Sequence, residues 1–163
     1  MTDRKLNQHE QNILSNISKH GWHGLHVFDP ERATPGFSYS VGFPETLEAP
    51  EFIVFGLPHE LAHHMLWEVF SQIKGGAEPL HGRRWSDLLK GFDCVSLKAD
   101  HDLLFTEHLI SSRWHWNHCG RDGFPPVMQL VWPSSTTGLF PWEPDCHESV
   151  ISAQPKLWTL PVP

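Results

Sequence analysis

The chain is short of cysteine, of tyrosine, of positive charge and of long apolar runs, and each shortage removes a class of protein. The three cysteines, Cys94, Cys119 and Cys146, are odd in number, far apart and form no C-x-x-C pair, whereas a disulfide-stapled secreted domain carries an even, denser set. No stretch approaches the roughly 20 apolar residues of a membrane span, which argues against a membrane partner. The opening residues lead into no apolar segment, so the expectation is a cytoplasmic chain without a signal peptide. Basic residues number 12 against 19 acidic ones, a formal charge of −7. No run of Lys or Arg forms a local stripe, so a phosphate backbone is repelled and nucleic acid is not an expected partner. A Gly-rich phosphate loop, a G-x-S-x-G elbow and a dinucleotide fingerprint are all missing. No complete catalytic set is identifiable.

What is present suits one globular unit. At 163 residues, 39% apolar and 12% aromatic, the chain can bury a core without staples, and residues 1–163 read as a single domain. Two counts stand out, 13 histidines and 8 tryptophans. Tryptophan reads first as packing; histidine reads as either metal ligand or polar surface.

Hydrophobic period assigns the elements. Leu6, Ile13, Leu14 and Ile17 predict a helix over 6–19, capped by Thr2 or Asp3 and closed by Gly21. Trp22–Phe28 reads as a strand. Phe37, Tyr39, Val41 and Phe43 alternate with small residues as a half-buried strand ended by Pro44, and Glu51–Leu57 is apolar enough for a central strand. Pro58 opens a helix whose apolar arc runs from Leu61 to Ile73, stopped by Gly75-Gly76. A less regular stretch through Trp85 precedes a strand at Phe92–Leu97. Asp100 or Asp102 caps a helix carrying Leu103 to Trp114, Val127–Trp132 is a strand stopped by Pro133, and the proline-rich remainder is irregular except for a short edge strand near Leu157–Leu160. The Tyr39 and Phe52 strands lie too close in sequence for a crossover helix. An α+β fold follows, with a mainly antiparallel sheet and helices packed on one face, and a small, partly closed barrel as the alternative.

Several blocks together resemble a family. Gly21-Trp22, Pro35–Phe43, Pro50–Leu57, Gln129–Pro133, Gly138–Glu143 and Gln154–Leu157 are similar, in order, to the bacterial family called domain of unknown function 4262. The resemblance implies a bacterial cytosolic protein and no established chemistry. Two positions depart from it. Ser134 stands where the family tends to be acidic after the Trp-Pro pair, and His59-Glu60-Leu61-Ala62-His63 occupies a helix that is ordinary in the family.

Two candidate sites emerge from the residues. The first is an aromatic cleft around Tyr39, Trp132 and Trp142, with Gln129 and Glu143 as its polar groups, held by prolines and suited to a small molecule or peptide. The second is the H-E-x-x-H match, in which His59 and His63 would bind zinc one helical turn apart and Glu60 would act as general base. With 13 His and 11 Glu, chance supplies roughly 0.07 such matches. Leu66 and Val69 stand where the longer metzincin pattern needs glycine and a third histidine. A third ligand would have to come from His81, Glu107, His108 or His115 through the fold. His115, His118 and Cys119 with Cys146 and His147 form a looser ligand set of no standard spacing. The leading reading is a binding or accessory protein without an identifiable cofactor. The alternatives are a zinc-dependent hydrolase and an acidic, immunity-type protein that caps a basic partner.

Overall fold

The computed structural model of the chain describes residues 5–28, 35–100 and 104–163. Its elements, in order, are α1 (Gln8–His20), β1 (His23–Val27), β2 (Phe37–Val41), α2 (Phe43–Leu47), β3 (Glu51–Phe55), α3 (His59–Lys74), β4 (Arg83–Leu89), β5 (Phe92–Lys98), a π-helical turn (Leu104–His108), α4 (Ile110–His118), β6 (Val127–Val131) and α5 (Glu148–Ser152).

The six strands form one open sheet in the order β1-β2-β3-β6-β5-β4. Every neighbouring pair is antiparallel except β3 with β6, which is parallel. The expected α+β sheet is therefore present and the closed-barrel alternative is not. Among the described residues no helix is long and apolar enough to cross a membrane.

The alternation of side chains across the strands builds two cores. On one face Phe52 and Val54 of β3, Met128 and Leu130 of β6, and Trp85 of β4 meet Ala62, Met65, Leu66, Val69 and Phe70 of α3. That spacing is the helical i, i+3, i+4, i+7 arc, and each of Met65, Leu66, Val69 and Phe70 contributes roughly 1.5–3 kcal/mol on burial. The other face is also covered. Tyr39, Val41 and Ile53 pack there with Ile13 of α1, Leu104, Leu109 and Leu157, and Val95, Leu97 and Val131 pack with Phe140 and Trp158. Helices thus lie on both faces, not one. This is why β2 is buried along its whole length rather than half-buried.

Local chemistry explains the boundaries that differ from expectation. Thr2 and Asp3 lie outside the described residues. The cap of α1 is Asn7, which accepts from the Glu10 N–H at 2.8 Å while Glu10 Oε1 accepts from the Asn7 N–H at 3.0 Å, a reciprocal capping box worth about 1 kcal/mol. Gly21 closes that helix at φ 90°, its N–H bonded to Ile17, as expected. Pro44 does not merely end β2; it sits in the first turn of α2. Asp102 and Leu103 also lie outside the described residues. The segment after them breaks into the π turn and α4, with the Leu109 N–H reaching back five residues to Leu104 O. Pro58 is the N-cap of α3 rather than its first residue. The stretch through Trp85, expected to be irregular, instead contains the start of β4, with Arg83, Arg84 and Trp85 all in the strand. Near the C-terminus, Trp158 forms a single bridge to Ala99.

Candidate functional site

An opening with an apolar wall lies at the end of the sheet where β3 and β6 finish. β3 ends at Phe55, and Gly56 turns the chain at φ 76°; a Cβ there would stand 2.7 Å from Ala153 O and 3.2 Å from the Trp132 ring. Only glycine permits that approach. The turn delivers Leu57 and, one turn into α3, Leu61. The tip of the β4–β5 hairpin supplies Leu89 and Phe92 from the opposite side, and Trp132 forms the floor. All five are only half-buried, so each keeps apolar surface open to a partner. The cleft measures about 810 Å³, within the range of about 300–1,000 Å³ of ligand sites.

Its far wall is polar. Ser134, Ser135, Thr136 and Thr137 follow Pro133 in an unbroken row, with Lys90, His147 and Ser149 at the margin and no carboxylate side chain in the lining. Ser134 is buried and organises the row: its Oγ accepts from the N–H groups of Thr136 at 3.3 Å and Thr137 at 3.4 Å. A carboxylate at this position would accept the same N–H groups. The serine therefore holds the turn without placing a negative charge in the cleft.

Trp132 is fixed from three directions. Its indole N–H donates to Phe55 O at 2.7 Å, its backbone N–H donates to Gln154 Oε1 at 3.0 Å, and its carbonyl accepts from Gln154 Nε2 at 2.9 Å. Gln129 does the reciprocal work, donating to Pro155 O at 2.8 Å and accepting from the Leu157 N–H at 3.1 Å. The Gln129–Pro133 and Gln154–Leu157 segments thus bond to one another.

The five residues read as an aromatic cleft do not converge. Trp132 lines the cleft just described. Tyr39 is buried on the opposite face of the sheet, where its hydroxyl accepts from the Ser111 N–H at 3.2 Å. Gln129 is wholly buried under the C-terminal segment. Trp142 stacks on Phe140 with centroids 4.9 Å apart and meets Trp158 edge-on, and Glu143 accepts from the Phe140 N–H at 3.2 Å. Leu57, Leu61 and Phe92 are lining residues that periodicity assigns only to packing, and Leu89 is a lining residue in a segment without a clear period.

His59 and His63 do lie one turn apart on α3, with ring centroids at 6.3 Å. Each ring is already stacked, His59 on His26 at 4.9 Å and His63 on Trp22 at 5.0 Å. The possible third ligands are elsewhere. His81 bonds to Pro161 O and the Lys98 N–H, His108 lies edge-on to Phe37 and Phe55 across the sheet, and His115 is buried in α4 beside Cys119 Sγ at 3.5 Å. Cys146 and His147 bond within their own loop. Among the described residues no group of three or more His, Cys, Asp or Glu side chains is placed to hold a metal ion.

A buried carboxylate escaped the sequence reading. Glu51, 1% exposed at the head of β3, accepts from Ser40 Oγ at 2.8 Å and from the N–H groups of Gly42 at 2.8 Å and Phe43 at 3.1 Å. It ties the start of α2 to the sheet. Burial pushes its carboxyl up to about 8 despite those three bonds, and Glu45 adds to the rise. Its signal was a charged residue opening an otherwise apolar strand.

A family model for a domain of unknown function, DUF4262, matches residues 16–147, and the chain belongs to that family. No curated protein and no solved structure matches it.

Proposed function

We propose that this member of the DUF4262 family is a binding or accessory protein whose ligand is a small molecule or peptide segment with an apolar body and a neutral or anionic head. The body would lie on Leu57, Leu61, Leu89, Phe92 and Trp132, and the head would face the hydroxyl row from Ser134 to Thr137, with Lys90 at its edge. The observation that carries the reading is this pairing of a half-buried apolar wall with a polar wall free of carboxylates, in a cleft of about 810 Å³. An apolar body gains by covering the wall, at about 25 cal/mol per Å² before the costs of association. The absence of acidic lining removes the repulsion that the net charge of −7 would otherwise impose on an anion.

Calorimetric titration with octanoate, 1-octanol and a short apolar peptide tests the reading. Saturable binding of at least one of them, weakened about tenfold or more by Leu61→Arg, supports it. If none binds saturably, or if Leu61→Arg and Ser135→Trp both leave binding unchanged, the reading fails.

A further inference from the structure

A second cleft, of about 660 Å³, opens at the β1 edge of the sheet between the end of α1 and α3. Its ionisable lining is made entirely of groups that carry positive charge or none: His20 from α1, His23 from β1, and His63 and Lys74 from α3. In a chain of net charge −7, a lining without one carboxylate is a local reversal of sign. Its other distinctive lining residues are aromatic. Trp22 forms the inner wall, stacked between His63 at 5.0 Å and Phe70 at 6.2 Å, and Trp67 stands at the rim with 48% of its surface exposed. Gly24 lets His63 sit close against β1, because a Cβ there would lie 2.8 Å from His63 Nδ1.

We propose that this edge cleft is a binding site for a planar aromatic anion, an aromatic carboxylate being the simplest member, whose ring stacks on Trp67 and whose charge is held by His20, His23, His63 and Lys74. Indole faces attract flat rings through offset stacking, and imidazole N–H groups and an ammonium donate to a carboxylate. An aliphatic anion would use only half of the site, and an aromatic cation would meet the wrong sign. The site is separate from the cleft beside Trp132 and shares no lining residue with it.

Protonation is linked to occupancy. Burial lowers the pKa of His23, as do His9 of α1 and His63 of α3; burial lowers that of His63, as does His59 one turn earlier. A bound anion opposes both shifts, so it binds more tightly as pH falls.

The test is calorimetric titration of the full chain with 1-naphthoate, set against 1-naphthylmethylamine, cyclohexanecarboxylate and inorganic phosphate. One tight site for 1-naphthoate is expected, at least about tenfold tighter than for any of the other three, and several-fold tighter at about pH 5.5 than at about pH 8. Trp67→Ala and His63→Gln, both at exposed positions, should each weaken it about fivefold or more, and Leu61→Arg should not. The proposal is overturned if 1-naphthoate shows no saturable binding, if the amine binds as tightly, or if both edge variants bind it unchanged.

Discussion

Ser134 shows how much one side chain settles. Its hydroxyl is the acceptor for two N–H groups of the turn that forms the polar wall, both at long distance, so Ser134→Ala should cost only about 0.5–1 kcal/mol in urea unfolding. Ser134→Asp should stay folded, because a carboxylate satisfies the same donors and so offsets part of the cost of burying its charge, yet it should weaken an anionic ligand in the cleft. A Ser134→Ala protein as stable as the parent beside an unfolded Ser134→Asp would refute this account of the turn. Glu51 makes a prediction in pH. Its folded pKa lies near 8 against 4.5 for the unfolded chain. Its contribution is therefore complete below the unfolded value and is lost as pH rises through the folded one. Glu51→Gln keeps one acceptor and turns an amide N–H₂ toward the Gly42 N–H, so it is less stable but lacks the slope. The stability gap between parent and variant should narrow between about pH 5 and pH 8 in a series of thermal melts, and a gap that widens would contradict the assignment.

At the scale of elements, α3 and β1 meet through an aromatic and imidazole contact in place of a purely apolar one. Gly24 lies under His63 and Trp22, with a Cβ position 3.1 Å from the Trp22 ring as well as 2.8 Å from His63 Nδ1. Gly24→Ala should therefore overpack the contact and cost about 1–3 kcal/mol. His63→Ala should recover most of that loss in a double-mutant cycle; additive losses would show that the two residues do not press on one another. The legibility of elements in the sequence follows the same physics. Strong periods mark their elements: the α3 arc, the apolar run of β3 and the Gly21 stop all appear where the pattern places them. β4 was not read because Asp87 adopts φ 68° and the ladder shifts register between Trp85 and Leu89. Its buried residues, Trp85 and Leu88, are three apart, and a bulge of this kind erases the period of two that marks a strand. α5 escaped because five residues among prolines are too short to show a period.

For the molecule as a whole, the strand order explains both what the sequence could reveal and what it could not. β3 and β6, distant in the chain, lie parallel at the centre, and their ends deliver Leu57 and Trp132 to the same place. Leu89 and Phe92 arrive from the β4–β5 hairpin that adjoins β6. Each of these residues looks like core in its own segment, so only the topology turns them into a cleft. Trp132 could be singled out from its rigid Trp-Pro setting, whereas Tyr39 and Trp142 shared its composition but went to other cores. Gln129 reads as a polar group of the cleft and instead serves, with Gln154, as a staple for the C-terminal segment.

The most direct test of the central claim is amide chemical-shift mapping during titration with octanoate. The account predicts saturable shifts that cluster at Leu57–Leu61, Leu89–Phe92 and Trp132–Gly138 and that disappear in Leu61→Arg. Shifts centred on any other region, or none at saturating ligand, would contradict it.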